Sequence, residues 1–455
     1  PCDSTCPCYG FKKTECEMRH KYKKQLQLHH EAVVDVAIVG AGAAGLFAAI
    51  WAGKKGGEHS IQIAVLDSAR KLGAKILVAG GGRCNVTHCQ VAEHDFAGSS
   101  PAAIRKVLRR FSVKQTVQFF ADAGVELKQE ETGKLFPVSD SARTILQALL
   151  DQAQSVDAFI THPARVTDID QLPCNGREKG RDKEPRLRVV SEEGVLLARH
   201  VIVCTGGKSL PKSGSDGSGY RLVEKLGHTI TKPLVPALVP LTLVDGHWIR
   251  GLSGVTVPAA VTLSKASGKR MCTYSGSTLC THLGLSGPSI LDISRHWLIE
   301  QHADSDVRLH INWLPEHNEK ILDDLLQEQR MGAFGVLRRW LPDRLARQLC
   351  LESGAPCTGD LTRSIRKKLV QSVTATPLPV QGDRGFAVAE ATAGGVPLEE
   401  VQLETMESRK CPGLYLAGEV LDVDGRIGGF NFQWAWSSGF VAGSAVAKSV
   451  TEVNN

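Results

Sequence analysis

A short apolar strand, Asp35-Val-Ala-Ile-Val39, runs directly into Gly40-Ala-Gly42-Ala-Ala-Gly45 and then into an Ala-rich helix, Leu46-Phe-Ala-Ala-Ile50. No other stretch of the chain constrains the fold as strongly. Glycines at G-x-G-x-x-G spacing between a strand and a helix make the turn of a dinucleotide-binding βαβ unit. Gly40 permits the tight turn, Gly42 carries no side chain to obstruct a pyrophosphate, and Gly45 lets helix and strand pack closely. Ala43 and Ala44 fall in the first helical turn, whose unpaired N–H groups and partial positive charge favour an anion. The next apolar strand, Ile61–Leu66, ends in Asp67, some twenty residues past the glycines. A carboxylate at that distance accepts hydrogen bonds from a ribose diol. The pattern predicts an adenine dinucleotide, and the charge of Asp67 disfavours a 2′-phosphate in the same place.

The rest of the composition narrows the class. A chain of 455 residues has room for two or three domains and a sizeable core, and 42% apolar with 22% charged residues is ordinary for a globular protein. No apolar run approaches the roughly 18 residues of a membrane span, so no membrane partner is expected. The net charge of +6 is modest. Basic residues gather in Lys21–Lys24, Arg105–Arg110 and Arg363–Lys368 with few aromatics between them. Solvated helix faces explain them better than a nucleic-acid footprint. Of the 13 cysteines, nine are scattered from Cys84 to Cys411, as reduced thiols would be. Cys2, Cys6, Cys8 and Cys16 crowd the beginning at spacings that match no standard zinc site, and no metal site is assigned. Pro1 is not a translation start, and Met18 opens Met-Arg-His-Lys. Residues 1–30 are therefore expected to be a disordered Cys-rich tail outside the fold. They lack the apolar core of a secretory signal. The expected location is cytoplasmic, with organellar import left open by that unusual tail.

No internal repeat is visible. Helical patterns cover Ala102–Phe111 and Val113–Ala123, the second with Ser112 as its N-cap. Another spans Ala142–Gln152. Strand patterns lie near Leu135–Val138, Ala164–Ile169 and Leu187–Val190, with the polar stretch Leu172–Pro185 as a surface loop between strands of a hairpin. The strand Ala198–Cys204 ends in Thr205-Gly206-Gly207 and marks a return to the parallel sheet. Beyond Pro233 the character changes. Alternating β-branched runs over 238–315 predict an antiparallel barrel or sandwich, and Ile321–Gln329, Phe334–Cys350 and Leu361–Val373 predict helices. This block interrupts the nucleotide-binding pattern, which resumes after it.

The resumption is the second strong signal. The strand Leu414-Tyr-Leu-Ala417 follows a Pro412-Gly413 turn and ends in Gly418-Glu419. In two-part flavoprotein domains such a carboxylate lies on the ribityl chain of FAD. Gly428-Gly429-Phe430-Asn431-Phe432-Gln433 then opens a helix whose N–H groups would face the pyrimidine end of the flavin, where negative charge develops on reduction. The alternative is a helix that only buttresses the sheet, with Trp434 and Trp436 as core residues.

Six separated motifs carry a family resemblance over about residues 33–445. They are Gly80–Asn85, Lys134–Asp140, Thr205–Gly214, Thr281–Pro288, Ala391–Val396 and the 414–439 block. With these, the chain resembles the YhiN/BaiN-like FAD-dependent oxidoreductases of the glutathione-reductase-type flavoprotein group. The resemblance implies an α/β fold, a discontinuous Rossmann-like FAD-binding domain (31–232 and 385–455) with an inserted β-barrel-like and helical subdomain (233–384) that covers the substrate. It implies FAD contacts at Gly40–Gly45, Asp67, Lys75, Gly81, Gly82, Arg83, Cys84, Asn85, Val166, Thr205, Gly206, Gly418, Glu419, Gly429, Phe430, Asn431 and Gln433. His88 stands where Asn is commoner, and Phe430 where Tyr is usual.

In such enzymes a hydride moves through flavin N5 while the protein orients the substrate and tunes charge. Arg83 and Asn85 are candidates to hold the pyrophosphate or the flavin edge. Cys84 invites a redox reading, but without a Cys-x-x-Cys partner it fits better as a small buried thiol. His282, Tyr274, His228 and Arg426 are available to move a proton or bind a carboxylate, and none is singled out as a catalytic acid. Only one complete dinucleotide fingerprint exists, so NADH or NADPH, as electron donor, would bind transiently over the flavin. The family is credited with NAD(P)H-linked reduction of small conjugated carbonyl compounds and with oxidation of a small amine, and the sequence leaves the two open. A tRNA-modifying flavoprotein and a non-catalytic flavin-binding protein are the alternatives.

Overall fold

The computed structural model describes residues 32–57, 60–173, 184–328, 332–356 and 359–454. The expected tail over 1–30, with its four cysteines, lies outside the described residues, as does most of the polar loop after Leu172.

Five strands form a parallel core in the spatial order Leu414–Leu416, Gly194–Val203, Ala32–Val39, Ile63–Leu66 and Phe159–Thr161. The inner strands are buried on both faces, which is why they read as unbroken apolar runs rather than alternating ones, while the edge strand Phe159–Thr161 is half-buried. Val36, Ala37 and Ile38 have no exposed surface. The strand Gly194–Val203 does double duty. Its first half pairs antiparallel with Leu187–Ser191, and its last residues pair parallel with Leu414–Leu416. Val166–Gln171 continues the antiparallel edge on Leu187–Ser191, the hairpin expected from the sequence.

Two helices cross closely over this sheet. Gly439 and Gly443 of the last helix, Phe430–Asn454, sit against the helix Ala43–Lys55. A Cβ at either would stand 2.7 Å from the Ala44 carbonyl oxygen or 2.3 Å from that of Ala48. Small residues thus set the spacing of the pair. Around them Phe47, Phe111, Phe119, Phe120 and Trp436 meet at aromatic centroid distances of 4.7–5.6 Å.

The inserted part has its own core. Seven antiparallel strands run in the order Thr376–Leu378, Arg308–Asn312, Thr256–Ser264, Arg270–Cys280, Gly284–Ser286, Leu241–Leu243 and Val380–Asp383. The two edge strands are consecutive in sequence and joined through Pro379, so the sheet curls back on itself. Its apolar face packs on the helices Pro288–Ala303, Glu319–Glu328, Asp343–Ser353 and Arg363–Thr374. The single helix expected over Phe334–Cys350 is instead two, Gly332–Leu337 and Asp343–Ser353. Pro342 falls between them and, with no N–H and a ψ of 139° that is not helical, separates one helix from the next as the N-cap of the second. Two short strands, Val235–Ala237 and Ala391–Ala393, pair where the chain enters and leaves the insert.

Candidate functional site

A cavity of about 640 Å³ opens at the carboxyl ends of the parallel strands, walled by Val39, Leu66, Cys204 and Gly418. This is the crevice where doubly wound sheets bind ligands. Gly40 has φ +104°, and a Cβ there would lie 2.5 Å from the Cys204 carbonyl oxygen. A Cβ on Gly45 would lie 1.8 Å from the Gly40 carbonyl oxygen. At Gly42 the outcome is opposite: an added Cβ meets no protein atom within 4 Å, because it would enter the cavity. Asp67 accepts from the backbone N–H of Ala41 (2.6 Å) and of Ala69 (2.7 Å), which fixes its carboxylate on the glycine turn. Each oxygen keeps a second lone pair for a ribose hydroxyl.

Along the next wall, Lys75 and Glu419 meet at 2.6 Å, and both bond Ser209. The Thr392 backbone N–H donates to Glu419 at 2.9 Å. This network pulls together the helix Ala74–Gly82, the turn after Val203, the exit strand of the insert and the 418–420 turn. In that helix Gly80 and Gly81 take positive φ, which breaks the last turn and carries Arg83 and Asn85 to the cavity. Arg83 lies 4.0 Å over the Phe136 ring and pairs with Glu130 at 2.6 Å. Val166, Thr205, Gly206, Gly81 and Ala43 also face the cavity. At the far end Gly428, Gly429 and Asn431 bring the start of the last helix to it, so helix N-termini line both ends. Asn431 is held by the Gly425 N–H (2.8 Å) and carbonyl (3.0 Å).

Some expected contacts lie elsewhere. Gly45 is a packing residue. Gly82, Cys84, Phe430 and Gln433 are not among the cavity's lining residues. The Gln433 amide is spent internally, accepting from Thr87 and Thr116 and donating to the Phe111 carbonyl. Phe430 stacks on His88 at 4.9 Å. Cys84 is fully buried, and burial pushes its thiol pKa far up, which leaves no thiolate for redox chemistry. Trp434 and Trp436 are core residues whose indole N–H groups donate to the Gly418 and Val86 carbonyls.

Of the four side chains considered for proton transfer, Arg426 alone lines the cavity, tied to Asp292 at 3.3 Å and Asp95 at 3.6 Å. Tyr274 bonds His296 at 2.9 Å, and the His282 carbonyl accepts from Arg250. His228 lies between Glu400 and Ser408, at 2.8 Å from each. Those are the distances of a Ser-His-acid triad, but His228 and Ser408 are buried, and the Ser408 hydroxyl also accepts from the Lys410 and Cys411 N–H groups. Lys134, Phe136, Leu238, Val388 and Glu390, none foreseen as site residues, form the remaining wall. Lys134 opens one recognisable motif and Glu390 immediately precedes another, which is the only trace they leave in sequence.

FAD fits this arrangement. The Asn85 Oδ1 and Ser215 Oγ atoms are buried at the cavity without a partner in the protein, so a ligand with donors and acceptors must satisfy them. Gly42 leaves the pyrophosphate space, Asp67 and Glu419 offer carboxylates to its hydroxyls, and the two helix N-termini suit its phosphates and its pyrimidine edge. When bound there, FAD supplies hydride transfer at N5.

Residues 34–445 match the family model described as the HI0933-like protein Rossmann domain. The chain is 31% identical to the ribosomal RNA dihydrouridine synthase of Haemophilus influenzae, over 90% of this chain and 98% of that one. It is 33% identical to the 3-dehydro-bile acid delta(4,6)-reductase of Clostridium scindens, over 91% and 99%. The ribosomal RNA dihydrouridine synthase of Escherichia coli is 32% identical over 89% and 96%.

Proposed function

The chain belongs to the HI0933-like family of FAD-dependent Rossmann oxidoreductases, and on that premise we propose that it is a reductase of a carbon–carbon double bond conjugated to a carbonyl group. The cavity wall around Lys134 carries this reading. There Phe136, Leu238, Val388 and Ile427 supply an apolar surface beside an ammonium, and an activated C=C needs both. The apolar part holds the carbon skeleton, and the cation favours the negative charge that develops on oxygen. The two kinds of activity named for the relatives share this chemistry, since uracil presents its C5=C6 bond next to a carbonyl, as a 3-oxo-4,6-diene does.

A small conjugated carbonyl compound is the substrate class. The insert over 233–384 acts as its cap, and NADH or NADPH meets the flavin through the same cavity. An RNA uracil is the second reading, favoured by the dihydrouridine synthase relatives and by the exposed Arg105, Arg109 and Arg110 on and just after the short helix Pro101–Leu108.

Anaerobic reduction of the purified protein with each nicotinamide, followed by mixing with acceptors, tests the proposal. Rapid reoxidation by a 3-oxo-4-ene steroid, with slow reoxidation by oxygen, is the expected result. Reoxidation by uridine-containing ribosomal RNA alone would move the assignment to the second reading. Fast reoxidation by oxygen with peroxide release, and none by either acceptor, would make the protein an oxidase of a small amine instead.

A further inference from the structure

Resting on the reductase reading, we propose that Glu390 is the catalytic proton donor of this site and that Lys134 holds the substrate's carbonyl oxygen. Four carboxylates line the cavity, and three are already engaged. Asp67 is bonded to two backbone N–H groups, Glu130 to Arg83, and Glu419 to Lys75, Ser209 and Thr392. The cations divide the same way. Lys75 pairs with Glu419, Arg83 with Glu130, Arg165 with Asp216, and Arg426 with Asp292 and Asp95. Among the described residues, the side chains of Glu390 and Lys134 make no hydrogen bond or ion pair, yet both face the cavity. They are near enough for each charge to act on the other.

The position of Glu390 is fixed through its backbone. Its N–H donates to the Leu238 carbonyl and its own carbonyl accepts from Ser209, at 3.3 Å in each case, which ties it to the end of the entry strand and to the turn that follows Val203. Its side chain is open to the cavity, yet the protein packed around that cavity desolvates it and raises its carboxyl pKa, while Lys134 draws it down and Asp292, on the helix Pro288–Ala303, raises it again. The balance lies above the ordinary carboxylate value, so the acid form persists to higher pH, as a general acid requires. Asp292 is no rival, because it accepts from the Ile427 N–H at 2.7 Å and pairs with Arg426.

The chemistry balances on these two groups. A hydride added at the β-carbon sends the C=C electron pair into an enolate, and the oxygen's negative charge is met by the Lys134 ammonium. The Glu390 carboxyl O–H then breaks, its proton bonds to the α-carbon, and the enolate pair closes that C–H bond. The carboxylate is reprotonated from water, and the product has gained one hydride and one proton.

Glu390→Gln and Lys134→Met, prepared as holoprotein, test the assignment by three readouts. Retention of the flavin's visible spectrum in both variants is expected, since neither side chain belongs to the cofactor cradle. Binding of a saturated ketone to the oxidised protein, followed by perturbation of that spectrum, should be unchanged in Glu390→Gln and at least about tenfold weaker in Lys134→Met. Single-turnover reoxidation by a conjugated enone should slow by about 100-fold or more in Glu390→Gln. The wild-type rate should fall as pH rises through the carboxyl pKa, and that limb should vanish in the variant. Wild-type rates and pH dependence in Glu390→Gln, while the wild type reduces the enone, would overturn the proton-donor role alone. Unchanged ketone affinity in Lys134→Met would overturn the clamp. A wild type that no conjugated acceptor reoxidises would overturn the reductase reading and this assignment with it.

Discussion

Gly42 and Cys84 were equally conspicuous in the sequence, and the structure separates them. A side chain at Gly42 enters the cavity, whereas Cys84 is buried outside it. Gly42→Val is expected to yield a folded, colourless protein. Cys84→Ser should stay yellow while losing about 1–2 kcal/mol of stability, because its hydroxyl is buried where a thiol packed. Absorbance at the flavin band and a melting curve on each variant check both outcomes. Glycines of the nucleotide turn were legible because their role is local: spacing and flanking elements encode it. Glu390 and Lys134 were not, since nothing local distinguishes an unpaired charge from a paired one. Their status emerges only when distant segments bring every other charge of the cavity a partner. Gln433 shows the converse: its motif points to the cofactor, while its side-chain amide is bonded to Thr87, Thr116 and Phe111, partners brought together only by the fold.

At the scale of elements, the start of the last helix is aimed by its packing far down its length. Gly443 permits the approach to Ala48 on the first helix, so Gly443→Val must push the two apart. Overpacking of this kind costs about 2 kcal/mol or more. Lower thermal stability and weaker FAD retention are expected together, because displacement of the helix also moves Gly429 and Asn431. Gly439→Ala should show the same two effects more weakly, and equilibrium dialysis of FAD alongside calorimetry measures them. Strand and helix types are readable from periodicity in most places, but not at Pro288–Ala303, a 16-residue helix inside the stretch 238–315 expected to be strands. The break at Pro342 was not drawn from the pattern, because the apolar spacing continues across it while the backbone cannot.

Across the whole molecule, the chain builds two separate large cores, one on the parallel sheet and one on the curled antiparallel sheet. No helix among the described residues is long and apolar enough to cross a membrane. Each part holds a neutral histidine. Burial lowers the pKa of His200, in the parallel sheet, and of His296, beside Tyr274, to about 4. Both remain unprotonated in the fold but take a proton near pH 6.5 when the chain unfolds. Their contribution to stability is therefore fully present above about pH 6.5 and is lost as pH falls from there toward 4. Melting temperatures measured across that interval should decline, and His296→Gln should flatten part of the decline. The interruption of one nucleotide domain by a second unit was legible because the glycine-acid chemistry stops and resumes. How Leu238, Val388 and Glu390, from the connections into and out of the insert, join Lys134 in one cavity wall was not.

Segments nearly the full length of the chain apart line one cavity that fits FAD. Release of the chromophore by denaturing the purified protein, with chromatography against authentic flavins, tests that fit most directly. FAD in stoichiometric amount is expected. A protein that carries FMN, or that stays colourless after incubation with FAD, would contradict it.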